Sequence, residues 1–270
     1  MAVAAAVHSD RAATGLILSF EQPRDVYDRH VGRYSTRLAE ALIERTGVRG
    51  GDRALDVGCG PGPVTEVLAA RLGAENVAAV DPSEAFADAC RARVPGADVR
   101  IATAESLPFD DDSFDVVVSQ LVVNFMKDPE AGVREMARVA RRTVSSCVWD
   151  YAGEMWMLRR FWDGALDVDP DAPDEGRTMR HCSAEELAAL WQAAGLRDVE
   201  TGELVVGAAY DDFDDYWSPF PHGIAPSGQY AASLDAPRQE ELRQAVFHRL
   251  GEPAGPFRLT ARAWFVSGAV

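Results

Sequence analysis

The sequence predicts an α/β protein organised on a doubly wound sheet, and three observations carry that prediction. Short apolar runs alternate with helical periodicity between residues 53 and 209, the order that puts strands in the middle and helices on both faces. The run Ala54-Leu55-Asp56-Val57 feeds an apolar helix beginning near Pro63 through a turn that holds Gly58, Gly60 and Gly62. A further run, Asn76-Val-Ala-Ala-Val-Asp81, ends on an acid. An acid about 20 residues beyond a glycine turn is placed to grip two ribose hydroxyls, which suits a ribose-bearing cofactor.

Glycines let the backbone of such a turn take positive φ and let a ligand lie against it. The helix behind the turn offers free N–H groups and a partial positive charge. Pro63 fits its first turn, where no N–H is needed. The spacing is G-x-G-x-G. The dinucleotide fingerprint G-x-G-x-x-G would need a third glycine at Pro63, so a nicotinamide oxidoreductase is disfavoured.

Composition narrows the classes further. The 270 residues are 47% hydrophobic, enough to bury a full core, and the net charge is −16. Nucleic acid as a partner would call for a basic face, and Arg141-Arg142 and Arg159-Arg160 are only pairs. Cys59, Cys90, Cys147 and Cys182 contain no C-x-x-C pair, so neither a metal site nor a disulfide framework is expected. Residues 1–7 lack a basic n-region and no run approaches about 18 apolar residues, so no membrane insertion and a cytoplasmic location are expected.

Each element has its local signal. Residues 1–22 are alanine-rich without periodicity and read as a leader. Residues 36–46 read as an amphipathic helix with Leu38, Leu42 and Ile43 on one face. Strands follow at 54–57 and 76–81, and Ser83 caps a helix over 83–94. Residues 98–102 read as the third strand, 110–115 as a solvated acidic turn, and Val116-Val-Val-Ser119 as a fourth strand buried on both faces. Asp128-Pro129 opens a helix over 130–141, and 143–149 is the fifth strand. From Tyr151 the pattern changes. Residues 154–162 are helical and aromatic, and 167–176 form an acidic, proline-bearing loop. Ser183 with Glu186 makes a capping box for a helix over 184–194, closed by Gly195. Residues 196–209 read as a strand, 211–222 as a short acidic helix and turn, 237–250 as a helix, and 257–270 as a final alternating strand.

Four motifs stand in order: Leu55-Asp-Val-Gly-Cys-Gly-Pro-Gly62, Val80-Asp-Pro-Ser83, Ala104-Glu-Ser-Leu-Pro-Phe109 and Ser113-Phe-Asp-Val-Val117. With them the chain resembles a class I S-adenosylmethionine-dependent methyltransferase of the ubiquinone/menaquinone-biosynthesis-like (type 11) group. The resemblance covers roughly residues 24–150 well and the rest in outline. It implies a Rossmann-like, seven-stranded, mostly parallel sheet with an antiparallel last strand. It also implies S-adenosyl-L-methionine as cofactor and S-adenosyl-L-homocysteine as product. Carried over onto this sequence, it puts the methionine end of the cofactor near Tyr27, Arg33 and Asp56. Gly58, Cys59 and Gly60 would form the loop, and Asp81, Pro82 and Ser83 the ribose side. Ala104 and Glu105 would border the adenine, and Gln120 and Leu121 would lie on the methyl-donor side. Phe86 either flanks the adenine or packs in the core. Two departures stand out. Thr103 replaces the usual acid beside the adenine. Residues 120–125 carry no Asn/Asp-Pro-Pro-aromatic box, which weighs against nucleobase and protein amines as acceptors.

In that family the last two strands form a tight hairpin, whereas here about 48 residues separate them. The expected organisation is therefore a leader (1–22), a cofactor-binding core (23–150), a core helix and strand (183–210) and a final core strand (257–270). Two insertions, 151–182 and 211–256, form a helical cap over the cofactor's sulfonium.

Methyl transfer is an in-line displacement from a cationic sulfur, so the protein mainly orients the acceptor and excludes water. No catalytic residue is obligatory. A hydroxyl or acidic-carbon acceptor would gain from a base, and His222, in the aromatic part of the cap, is the best candidate. Trp156, Trp162, Trp217 and Phe220 are candidates to line an apolar acceptor pocket. The expected activity is methylation of a small apolar or aromatic metabolite. The alternative is a non-catalytic regulatory protein that binds S-adenosylmethionine or S-adenosylhomocysteine. A dry cap with room for an acceptor favours the enzyme, and a cap plugged by its own tryptophans favours the binder.

Overall fold

The structure, a computed structural model, describes residues 32–223 and 225–270. The leader 1–22 and Tyr27 lie outside the described residues. Seven strands form one sheet: β1 (Ala54–Val57), β2 (Val77–Asp81), β3 (Asp98–Ile101), β4 (Phe114–Gln120), β5 (Ala140–Trp149), β6 (Arg197–Tyr210) and β7 (Phe257–Ala269). Their order is β3-β2-β1-β4-β5-β7-β6. Strands β1 to β5 pair in parallel, and β7 runs antiparallel between β5 and β6. The chain winds outward from β1 to β3, then returns to lay β4 on the other side of β1. That reversal opens a crevice at the carboxyl ends of β1 and β4, where ligands of such sheets bind.

The core strands are buried because helices cover both faces. Every residue of β1 and β2 is buried, and Val116, Val117 and Val118 of β4 are fully so. The helices flanking the sheet are α1 (Arg33–Thr46), α2 (Pro63–Leu72), α3 (Glu84–Arg93), α4 (Pro129–Val139) and α7 (Ala184–Ala193), with α5 (Trp156–Val168) and α6 (Glu175–Thr178) between α4 and α7. Side-chain oxygens cap α3, α4 and α7: Ser83 accepts from the Phe86 N–H, Asp128 from Ala131 and Ser183 from Glu186. The reciprocal bond of the expected capping box goes one residue further back, from the Cys182 N–H to Glu186 Oε2 at 3.0 Å.

Helices α5 (Trp156–Val168), α6 (Glu175–Thr178), α8 (Phe213–Trp217), α9 (Ala225–Ser233) and α10 (Ala236–Arg249) lie in the two segments, 151–182 and 211–256, that the sequence assigns to a cap. Helix α5 runs six residues beyond the predicted end. Its apolar face continues through Leu158, Phe161, Trp162 and Ala165, and Gly164 lets it approach α10, where a Cβ would come within 2.7 Å of Val246. Helices α6 and α9 lie in stretches that the sequence left irregular, and α6 starts on Asp174, whose Oδ1 accepts the Gly176 N–H at 2.9 Å. The cap has its own aromatic core. Phe161 stacks on Phe220 with ring centroids 4.4 Å apart and lies over Trp217 at 6.3 Å, and the Tyr216 hydroxyl donates to the Met157 carbonyl at 2.7 Å.

Candidate cofactor and acceptor site

One cavity of about 660 Å³ opens at the switch point and extends under the cap. Its floor is the glycine turn after β1. The N–H groups of Gly58 and Cys59 both donate to the Val80 carbonyl, at 2.8 and 2.9 Å, which pins the turn to the end of β2. Gly60 has φ 52°, and a Cβ there would meet nothing within 4 Å. The open space beside it is the cavity, so the backbone itself forms a wall.

Asp81 ends β2 against this turn. Its Oδ2 accepts the Gly60 N–H and its Oδ1 the Ser83 N–H, each at 2.9 Å. The carboxylate is thereby fixed on the cavity wall beside Pro82 and Ser83, with lone pairs left over for a diol. Asp56, two residues before Gly58, is fully buried. The Thr65 hydroxyl donates to its Oδ2 at 2.7 Å, whereas Oδ1 is enclosed without a partner. Burial, reinforced by the charge of Asp81, pushes its carboxyl up to about 7. An orphaned carboxyl oxygen on a cavity wall fits a ligand that brings an ammonium or another donor. The residues present therefore fit the adenosyl amino-acid cofactor that the resemblance implies.

The other predicted residues distribute as follows. Gly58, Cys59, Ala104, Glu105, Gln120 and Leu121 all line the cavity, as do Phe86 and Thr103. The Cys59 thiol is pushed up by its hydrogen bond with Cys90 and by burial, so it is a neutral packing group. Glu105 Oε1 accepts the Lys127 N–H at 2.9 Å, which ties the adenine-side loop to the approach of α4. Gln120 Nε2 donates to the Ser35 carbonyl at 3.2 Å and leaves its own Oε1 enclosed and unpaired. Leu121 takes φ 62°, a strained value for a non-glycine residue, where β4 turns away over the cavity.

Six predicted positions do not join the site. Arg33 is turned to the cap. Its guanidinium makes two hydrogen bonds to the Asp215 carboxylate, at 3.0 and 2.9 Å, and a third to the Ala209 carbonyl. A carboxylate of the protein thus fills the fork that was expected to clamp the cofactor. Trp162, Trp217 and Phe220 are absent from the cavity wall because they build the core of the cap. Trp156 is half-buried under the Arg160 guanidinium, 4.6 Å from its ring centroid. His222 is exposed, at the end of a short turn outside the cavity.

The aromatic groups that do reach the cavity from β5 and just beyond it are Trp149 and Tyr151, joined by Leu158 of α5 and by Ala225, Pro226 and Gln229 of α9. Trp149 was findable, because it is the last residue of β5 and ligands gather at such ends. Glu175, at the start of α6, also lines the cavity although it is only 3% exposed. No local signal separates it from the other acids of its loop.

Residues 55–145 match a family model described as a methyltransferase domain. A probable S-adenosylmethionine-dependent methyltransferase of Mycobacterium tuberculosis is 29% identical over 209 residues, spanning 76% of this chain and 71% of that one. An uncharacterised protein of the same organism is 36% identical over 227 residues, spanning 77% and 80%. Among solved structures, one from Anaeromyxobacter dehalogenans, named for a type II methyltransferase, aligns over 87% of this chain and 96% of its own. Its TM-score is 0.62 at 23% identity.

Proposed function

The chain belongs to the class I S-adenosylmethionine-dependent methyltransferases, in the type 11 group, and from that premise we propose that it methylates a small, apolar or aromatic metabolite. It is an enzyme, its cofactor is S-adenosylmethionine and its product S-adenosylhomocysteine. One observation carries the proposal. A single cavity runs from Asp81 and the glycine turn to an apolar end formed by Trp149, Tyr151 and Leu158 under the cap.

The cofactor supplies a methyl group already activated on a cationic sulfur. Asp81 holds the ribose hydroxyls, the Gly58–Gly60 backbone lies along the amino-acid portion, and Asp56 Oδ1 receives the ammonium. Phe86 and the 102–105 loop border the adenine, with Thr103 offering an uncharged acceptor. Leu121, Trp149 and Leu158 surround the transfer region with apolar surface, which excludes water and holds the acceptor in line. The cap's Trp162 and Trp217 pack on one another's neighbours instead of filling the cavity, and that room for an acceptor favours catalysis over mere binding.

The net charge of −16 supports an acceptor other than nucleic acid. Four cysteines, all free, support a reducing, cytoplasmic setting. Among the described residues no helix is long and apolar enough to cross a membrane.

A thermal-shift titration with S-adenosylmethionine, S-adenosylhomocysteine and NAD tests the site. A ligand at about 100 times its dissociation constant adds about 2.7 kcal/mol, a rise of roughly 5–10 °C for a domain of this size. Stabilisation by both sulfur ligands and not by NAD is expected. Stabilisation by NAD alone, or by none of the three, would overturn the reading.

A further inference from the structure

Glu175 is the buried acid of the cavity that the cofactor does not need. It opens α6 and lines the same cavity as Asp81 and the glycine turn, together with Trp149, Tyr151 and Leu158. The Trp162 indole N–H donates to its Oε2 at 2.9 Å and fixes the carboxyl plane. Its Oε1 makes no hydrogen bond in the described structure and is not among the fully enclosed, unpaired atoms, so it keeps open surface on a residue that lines the cavity.

The surrounding charges leave Glu175 largely uncompensated. Arg159 of α5 is a neighbouring cation, but two of its hydrogen bonds go to Asp174, at 3.0 and 2.9 Å, and another to Asp163. Asp174 itself adds like charge, and the Cys182 thiol stands nearby as a neutral group. Burial is the largest influence and pushes the Glu175 carboxyl up to about 7, with Trp162 opposing it. A carboxyl so poised accepts a proton at neutral pH more readily than an ordinary surface glutamate.

We propose that Glu175 faces the methyl acceptor and takes its proton, so that the acceptor is a small apolar molecule presenting one hydroxyl or N–H to the cap. This rests on the methyl-transfer reading above and adds the acceptor's polar group to it. In the step, the lone pair of the acceptor oxygen or nitrogen forms the bond to the methyl carbon. The S–CH₃ bond breaks with its electron pair returning to sulfur, and the acceptor's proton passes to Glu175 Oε1. Glu175 leaves the step as a neutral carboxylic acid, still held by Trp162, and returns the proton to water when product leaves.

The test uses the full chain loaded with S-adenosylhomocysteine and follows the Trp162 indole N–H resonance, assigned with Trp162→Phe. It should titrate with a midpoint near 7, and that titration should vanish in Glu175→Gln, which keeps an oxygen for the indole. Adding 2-naphthol should lower the midpoint, because a donor beside the carboxylate favours its charged form. Adding 2-methoxynaphthalene, the same rings without a proton to give, should not. A resonance blind to pH, or one that answers both probes alike or neither, overturns the proposal. Methyl transfer to 2-naphthol should fall about 10²–10⁴-fold in Glu175→Gln with the affinity for S-adenosylhomocysteine unchanged. A wild-type rate no higher than the variant's, zero included, removes the proton-accepting role. Failure of S-adenosylhomocysteine to stabilise the wild-type chain would instead strike the methyl-transfer reading itself.

Discussion

Asp81 reaches back 21 residues to accept the Gly60 backbone N–H at 2.9 Å. One carboxylate thereby sets the shape of the glycine turn and remains on the cavity wall for the ligand. Strand β2 brings it there because β2 pairs in parallel beside β1, with Val57 opposite Val80.

Asp81→Asn should weaken S-adenosylhomocysteine binding about 10–100-fold, the value of one hydrogen bond to a charged group. Asparagine can still accept one backbone N–H, so the fold should persist. Titration calorimetry beside a melting curve checks this, and an unchanged affinity would remove the ribose role.

The first and second glycines of the turn should fail in different ways. A Cβ at Gly58 would overlap the Val122 side chain, and φ there is 75°. Gly58→Ala should therefore cost about 1–3 kcal/mol of stability. At Gly60 a Cβ meets no protein atom within 4 Å, so Gly60→Val points into open space. It should cost only about 1–2 kcal/mol for its positive φ yet abolish binding by occupying the ligand's space. Melting curves with and without S-adenosylhomocysteine separate the two effects, and a cofactor still bound to Gly60→Val would refute the assignment.

Cofactor affinity should depend on pH through Asp56. Its folded-state carboxyl titrates at about 7, above its ordinary 3.8. Between those values the folded protein holds a proton that the unfolded chain has released. Stability of the ligand-free protein should therefore fall as pH rises from about 4 to 7. Glu175, raised from 4.5 to about 7 by burial, acts in the same direction. An ammonium at Asp56 requires the carboxylate, so affinity should fall up to about tenfold per pH unit below 7. Asp56→Asn should flatten that profile. A wild-type affinity constant from pH 5.5 to 8 would show that no ammonium meets Asp56.

His222 should be dispensable. It is exposed and outside the cavity, so His222→Ala should change stability by no more than about 0.5 kcal/mol and leave transfer to any accepted substrate intact. A selective loss of turnover in this variant would return His222 to the mechanism.

Read from its residues, the cofactor half of this protein needed little help from the tertiary structure. Gly58, Gly60, Asp56 and Asp81 lie within 26 consecutive residues. Strand, turn and helix there obey local rules: positive φ needs glycine, a helix N-terminus needs a cap or a proline, and a parallel strand buried on both faces must be apolar. The seven-stranded sheet followed from that alternation together with the motifs. The acceptor half was not legible in the same way. Trp162, Trp217 and Phe220 stand in an aromatic stretch whose composition suits a pocket wall and a hydrophobic core equally. Only the packing of α5 against α8 and the following turn decided that Trp217 and Phe220 stack on Phe161, whose edge meets Trp162. Arg33 carries a charge that any carboxylate can satisfy, and the fold supplied Asp215, 182 residues away. Glu175 looks in sequence like any acid of a solvated loop. Its burial against Trp162 is a long-range outcome of cap packing. The sequence by itself determined the glycine turn and the two acids beside it, because backbone conformation and strand pairing there are set by neighbours along the chain. The tertiary structure alone decided which side chains of residues 149–178 and 225–229 line the cavity, because burial and charge pairing there depend on segments far apart in sequence.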